Sequence, residues 1–322
     1  MNKPTPAPLP GWELKSAPLL GGVGGGFTFP SNTPASSVLP MKIGRRAFLK
    51  MSARLSTLMG LGACTIPRVA EALTEITAGA APVLWLQGLS CSGCSISLLS
   101  GEAPVPVKLL TQYISLAFHQ TLSTATGHLA VATVNNTIGH GGYILVVEGA
   151  VPAGMPQACR NGEEPFTQQL ERAARNAKAV VALGTCAAFG GVPAAPPNPT
   201  GAVSVPRFLS GAGISGTRIL IPGCPAHPDW LLGTLVHLLK FGLPPLDSLG
   251  RPKAFYSKLI HDQCPRFADY EREKFARTFA DEGCLFKLGC LGPITRADCT
   301  VRNWNGGVNT CIKAGAPCIG CA

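Results

Sequence analysis

An α/β fold built on a parallel, doubly wound sheet is predicted by three features of the sequence. Four short apolar β runs follow one another between residues 82 and 246, stretches of helical periodicity lie between them, and each run ends in a glycine-containing turn. Open sheets of this kind place ligands outside the carboxyl ends of their strands, and three of the four turns there carry cysteine. Near Leu246 the pattern stops. Beyond it Cys and Gly are dense and periodic strands disappear, so a flavodoxin-like domain over 73–246 is expected to precede a small, loop-rich C-terminal domain over 247–322.

The elements in chain order support that division. Residues 1–40 are rich in Pro, Gly and Ser and hold three charges, Lys3, Glu13 and Lys15, so a disordered or over-extended N-terminus is expected there. Met41-Lys-Ile-Gly-Arg45-Arg46-Ala-Phe48-Leu49-Lys50 resembles a twin-arginine export signal that begins at its normal distance from a start methionine, which makes Met41 a candidate initiator. The apolar stretch Leu55–Ile66 that follows is shorter than the roughly 20 residues a bilayer needs. Ala70-Glu71-Ala72 then reads as a small-x-small cleavage site, giving a signal segment over 41–72. Leu61-Gly62-Ala63-Cys64 is an alternative lipoprotein box.

Val83-Leu84-Trp85-Leu86, bounded by Pro82 and Gly88, reads as a buried strand. It turns through Gly88 and Ser90 into Cys91 and Cys94. Tyr143–Val147 runs into Glu148-Gly149, Ala179–Leu183 into Gly184-Thr185-Cys186, and Arg218–Ile221 into Pro222-Gly223-Cys224. Helices are expected over Val107–Leu116, Thr167–Ala177 and Pro228–Leu239. If the strands are parallel, Cys91, Cys94, Cys186 and Cys224 converge at one sheet edge and can hold one metal centre. Neither a GxGxxG nor a P-loop accompanies any strand.

The formal charge of +10 is concentrated in the first 72 residues; the remainder carries 19 Lys/Arg against 15 Asp/Glu. No basic run with interleaved aromatics stands out there, which argues against nucleic acid as a partner. With 14% charged and 46% hydrophobic residues, the composition fits a compact chain partly covered by a partner.

Thirteen cysteines exceed what an ordinary core uses. In an exported protein disulfides are the ordinary reading. An odd count, two CxxC pairs and an export route that carries folded proteins argue instead for metal centres assembled before export. Thiolate sets of this kind serve iron–sulfur clusters or tetrahedral zinc.

Several motifs in one order narrow the choice. Cys91-Ser-Gly-Cys94, Gly184-Thr-Cys186-Ala-Ala-Phe-Gly190, Pro222-Gly-Cys224-Pro-Ala-His-Pro-Asp229-Trp230, His261-Asp-Gln-Cys264, Gly283-Cys284 to Cys290-Leu-Gly-Pro293, Trp304-Asn305-Gly-Gly and Pro317-Cys318-Ile-Gly-Cys321 resemble the small subunit of exported nickel–iron hydrogenases, with similarity to the selenium-containing branch. The resemblance runs from the twin-arginine motif to the last residue. It implies a proximal [4Fe–4S] cluster on Cys91, Cys94, Cys186 and Cys224, and a distal [4Fe–4S] cluster on His261, Cys264, Cys284 and Cys290. It further implies a medial cluster on Cys299, Cys311, Cys318 and Cys321. Many relatives have proline at the position of Cys311 and a [3Fe–4S] medial centre; a fourth thiolate here implies [4Fe–4S]. A neutral imidazole in place of a thiolate makes the distal cluster less negative and raises its potential.

By the same resemblance the chain relays electrons between a nickel–iron site, held only in a large partner subunit, and a cytochrome or membrane redox subunit near His261. The location implied is periplasmic, with no transmembrane helix of the chain's own. No general base or nucleophile is identifiable in the chain. The commonest proximal motif carries Glu where this sequence has Ile96, and oxygen-tolerant relatives carry extra cysteines at the positions of Gly93 and Gly191. His119, His128, His140 and His237 read as plain core or surface residues, Cys159 as a plain buried thiol, and Cys64 as part of the removed signal. The competing readings are a binding protein stapled by zinc and disulfides, and an iron–sulfur protein serving a different catalytic chain.

Overall fold

The computed structural model describes residues 45–77, 82–101 and 115–322. Five strands, β1 (Val83–Gln87), β2 (Leu116–His119), β3 (Ile144–Glu148), β4 (Ala179–Leu183) and β5 (Arg218–Ile221), form one sheet in the order β2-β1-β3-β4-β5. Every pairing is parallel. This is the flavodoxin-type order, which reverses between β1 and β3 and so opens its crevice beside those two strands.

Four of the strands lie where their apolar runs predict them. The fifth corrects the helix expected over Val107–Leu116: Leu116 opens β2, and residues 107–114 lie outside the described residues. Four residues show no usable period, and pairing beside β1, with Phe118 opposite Leu84, decides their conformation. The expected export motif and the N-terminal 1–40 segment also fall largely outside the described residues, apart from helix α1 (Arg45–Leu58).

Both faces of the sheet are covered, because parallel strands buried on two sides alternate their side chains between two cores. On one side Val83, Trp85, Ile144, Val146, Val181, Leu183, Ile219 and Ile221 pack with Trp230, Leu231, Leu235 and Val236 of helix α8 (Pro228–Phe241). On the other side Leu84, Leu86, Leu145, Val147 and Val180 meet α4 (Gly127–His140), α5 (Phe166–Asn176) and α7 (Val205–Gly211). The first core does not end with the sheet. Phe255, Tyr256, Ile260, Ala297, Ile312 and Cys318 belong to it, and the Tyr256 hydroxyl donates to the Pro222 carbonyl at 2.7 Å. The segment beyond Leu246 holds only short helical turns and isolated bridges, as its composition predicts.

Helix α1 and α2 (Ile66–Thr77) lie on α8: Met59 and Val69 enter the first core, and Arg54 pairs with Asp229 at 3.5 Å. Ala70-Glu71-Ala72 falls within α2. No helix among the described residues is long and apolar enough to cross a membrane.

Candidate metal centres

The first group of thiols is assembled by the strand-end turns. Gly88 and Gly149 let the β1 and β3 turns touch: a Cβ on Gly88 would stand 2.5 Å from the Ala150 carbonyl, and one on Gly149 2.7 Å from the Leu89 backbone. That contact sets the start of α3 (Gly93–Leu99), which carries Cys94, while Cys91 Sγ accepts the Gly93 N–H at 3.4 Å. Cys186 sits in α6 (Gly184–Phe189) and Cys224 after β5. These two turns are tied together, since Thr185 N–H donates to the Gly223 carbonyl at 3.1 Å and Gly223 N–H to Thr185 Oγ1 at 3.0 Å. Gly184 has φ +84° and leaves no room for a Cβ, which would lie 2.5 Å from Cys94 Sγ. Gly191, too, faces the site, with a Cβ position 2.7 Å from Cys186 Sγ.

The four sulfurs sense one another electrostatically. Burial pushes the Cys94 thiol well above the usual thiol range, and the negative charges of Glu148, Cys91 and Cys186 push the same way. Cys186 is raised by burial and then by Cys224 and Cys91, and Cys224 by burial and then by Cys91. Four neighbouring thiolates are costly without a cation among them.

A second group lines one narrow pocket, where His261, Cys264, Cys284 and Cys290 appear together with Ile260, Pro293 and Ile312. The His261 ring is half-buried against Phe267 and Tyr270, with centroids 5.1 and 4.5 Å away. Cys264 Sγ accepts the Arg266 N–H at 3.4 Å. In the third group Cys299 is pushed up to about 12 and Cys321 to about 11, by burial first and also by the charges of Cys318 and Cys311. Cys311 thus stands with the other three, at an exposed position.

The terminal Cys318-Ile-Gly-Cys321 touches both other groups. Cys318 N–H donates to Cys290 Sγ at 3.4 Å. Thr185 Oγ1, beside Cys186, donates to the Cys321 carbonyl, and the Cys224 backbone steadies the Cys321 sulfur. The Cys299–Cys321 set therefore touches both of the other groups. Cys64 and Cys159 join none of them; burial raises Cys159, which packs against the second core.

The donor set discriminates between fillings. All thirteen cysteines are free, so no disulfide staples the chain. Among the described residues no three His, Cys, Asp or Glu side chains close tightly enough to hold one metal ion. A single tetrahedral zinc needs its thiolates about 2.3 Å from one point. Soft thiolates with backbone N–H groups on the sulfurs, as at Cys91, Cys264 and Cys290, suit a polynuclear iron–sulfur group.

Sequence reasoning missed one part of the first site. Glu148, the last residue of β3, is 2% exposed and accepts the Cys94 N–H at 3.1 Å, and His119, at the end of β2, is 0% exposed in the same network. A charged residue closing the otherwise apolar run Ile144–Val147 is the signal that could have found it.

Two families match the chain. Residues 91–238 match the 20 Kd subunit of NADH ubiquinone oxidoreductase, and residues 256–322 match the C-terminal region of the NiFe/NiFeSe hydrogenase small subunit. The chain is 40% identical over 301 residues to the periplasmic [NiFeSe] hydrogenase small subunit of Desulfomicrobium baculatum, covering 87% of this chain and 95% of that one. It is 41% identical to the uptake hydrogenase small subunit of Afipia carboxidovorans, covering 86% and 77%. The crystal structure of a reduced, active Ni-Fe-Se hydrogenase from Desulfomicrobium baculatum superposes with a TM-score of 0.72 at 41% identity, over 75% of this chain and 94% of that one.

Proposed function

Because the chain belongs to the small subunits of NiFe and NiFeSe hydrogenases, we propose that it carries three iron–sulfur clusters in line and relays electrons between a large-subunit nickel–iron site and an external redox partner. The hydrogenase activity is that of the assembled enzyme, in which this chain is the electron-transfer subunit. Cys91, Cys94, Cys186 and Cys224 would hold the proximal cluster, and His261, Cys264, Cys284 and Cys290 the distal one. Cys299, Cys311, Cys318 and Cys321 would hold the medial cluster as [4Fe–4S]. Bound there, the clusters supply one-electron storage.

The observation that carries this reading is the twelve-residue donor set in three adjacent groups, with Cys318 reaching one neighbour and Cys321 the other. The protein's own part is to exclude water from Cys94, Cys284 and Cys318, to aim N–H groups at the sulfurs, and to hold neighbouring groups in contact. Cys224 and Cys311 lie with Ile96, Pro225 and Trp304 along one apolar hollow. Ile96 is 60% and Val308 71% exposed. An apolar face beside exposed ligand sulfurs needs a covering partner, the role that the large subunit fills. His261, at the opposite end of the line, is the exit toward a cytochrome or membrane redox subunit.

Export by the twin-arginine route, in a complex assembled in the cytoplasm, follows from the motif at Arg45-Arg46. Changing both to Lys should strand both subunits in the cytoplasm. The deciding experiment on function is hydrogen-dependent dye reduction by the co-purified complex, with iron and acid-labile sulfide quantified. Activity with iron and sulfide in stoichiometric amounts is expected. Zinc without sulfide would reject the cluster reading, and clusters without hydrogen-dependent reduction would point to a different catalytic chain.

A further inference from the structure

We propose that Glu148 is a fixed buried anion that positions the Cys91–Cys94 turn and holds down the reduction potential of the cluster bound through Cys94. The inference rests on reading the Cys91, Cys94, Cys186 and Cys224 group as a four-iron site.

The geometry defines the charge state of the carboxyl. Its Oε1 accepts the Cys94 N–H at 3.1 Å. Its Oε2 faces Trp85 Nε1 at 3.2 Å, Gln87 Nε2 at 3.2 Å and Ser95 Oγ at 2.5 Å. The indole, the backbone amide and the carboxamide NH₂ can only donate. Ser95 Oγ is able to do either, and its direction is set by the residues behind it. Gln87 Nε2 donates to it at 3.0 Å, and His119 Nε2 lies 3.0 Å away. His119 Nδ1 accepts the Thr121 N–H at 3.0 Å, so the proton of the neutral ring sits on Nε2 and points at Ser95. Burial lowers His119 to about 4, and the ring, 4.8 Å from Trp85 and wholly buried, is neutral. Ser95 Oγ thus receives two hydrogens and has only its own left to give, to Glu148. Four donors converge on one carboxyl, and no proton on Glu148 would have an acceptor to meet.

Among the described residues Glu148 forms no ion pair, while Trp85 and Ser95 around it are each 1% exposed. Its charge is softened only by dipoles, in a place where water cannot screen it. An electron arriving at the cluster adds negative charge beside it, so the carboxylate makes reduction harder. Net charge and burial are among the levers on cluster potential.

The test is an anaerobic redox titration of the purified complex, following the proximal cluster by electron paramagnetic resonance. Glu148→Gln keeps the shape and should raise the proximal midpoint by roughly tenfold or more in the reduction equilibrium, which is about 59 mV per tenfold for one electron. Glu148→Asp retains the charge and should stay nearer to the wild type than to Gln. Ser95→Ala removes one donor and leaves the carboxylate less neutralised, so its midpoint should fall. This opposite sign decides the matter even if Glu148→Gln fails to assemble. A full cluster complement with an unmoved midpoint in Glu148→Gln, or a rise in Ser95→Ala, would overturn the role of Glu148. Wild-type complex without iron and sulfide would instead sink the cluster reading beneath it.

Discussion

Replacing Arg302 with methionine should destabilise the protein far more than its single charge suggests. The guanidinium, with its side chain only 5% exposed, reaches Asp229 Oδ2 at 3.1 Å and grips Asp298 through Nε and Nη2. Asp229 opens α8, and Trp230 Nε1 in the next position donates to Asp298 Oδ1 at 2.7 Å. Asp298 in turn precedes the short helix Cys299–Arg302, which opens on Cys299. Arg302 therefore joins the sheet-covering helix to the thiol-rich segment. Removing it leaves Asp229 buried with only Arg54 at 3.5 Å and Asp298, a fifth exposed, without its guanidinium, a broken pair that costs about 3–5 kcal/mol when buried. At about 2–4 °C per kcal/mol for a chain of this size, the melting temperature should drop by roughly 6–20 °C. Circular dichroism on the purified complex at one fixed scan rate reads this directly. Lys274→Met, which breaks the fully exposed pair with Glu282, is the control and should leave the transition in place. The triple variant Arg302→Met, Asp229→Asn, Asp298→Asn should recover most of the loss, because the cost comes from stranded charge rather than from missing attraction. The reasoning fails if Arg302→Met melts with the control, or if the triple variant is worse than the single one.

Four further outcomes are expected. Gly184→Ala forces a Cβ against Cys94 Sγ at a φ of +84°, so it should cost about 1–3 kcal/mol and lower the iron content. Gly139→Ala in α4, where a Cβ meets nothing within 4 Å, should raise stability by about 0.5–1 kcal/mol; thermal scans and iron analysis read both. In the Cys299, Cys311, Cys318 and Cys321 group, oxidised wild type should show no stoichiometric three-iron resonance and Cys311→Pro should gain one, whereas a full signal in undamaged wild type would remove Cys311 from the ligands. Asp247 is partly desolvated, which raises its carboxyl, but hydrogen bonds from the Arg251 backbone and guanidinium outweigh this and hold it below the usual range. A depressed carboxyl contributes stability above its unfolded pKa and loses it as pH falls through the lower folded value. Asp247→Asn should therefore narrow the stability gap between neutral pH and about pH 3, and an unchanged acid limb in urea titrations would contradict the pairing.

Four of the five strands, and the turns that carry the candidate cysteines, were legible before any coordinates. Apolar runs such as Ala179–Leu183 stand out because a buried parallel strand needs side chains that are apolar on both faces, and the turns after them stand out because Gly and Cys there serve nothing else. The candidate donors could be named because each motif is local and their order along the chain carries the family resemblance. Other features arise only from long-range contacts. Leu116–His119 became a strand only through pairing with β1, since four residues carry no period of their own. The contact among the three groups depends on Cys318 and Cys321 folding back to Cys290 and Cys224, positions up to about a hundred residues apart that no local pattern encodes. Glu148, Ser95 and His119 lie on three separate elements and meet only because β1, β2 and β3 are neighbours. Their chemistry comes from burial and mutual orientation, which exist only once the sheet has closed over them.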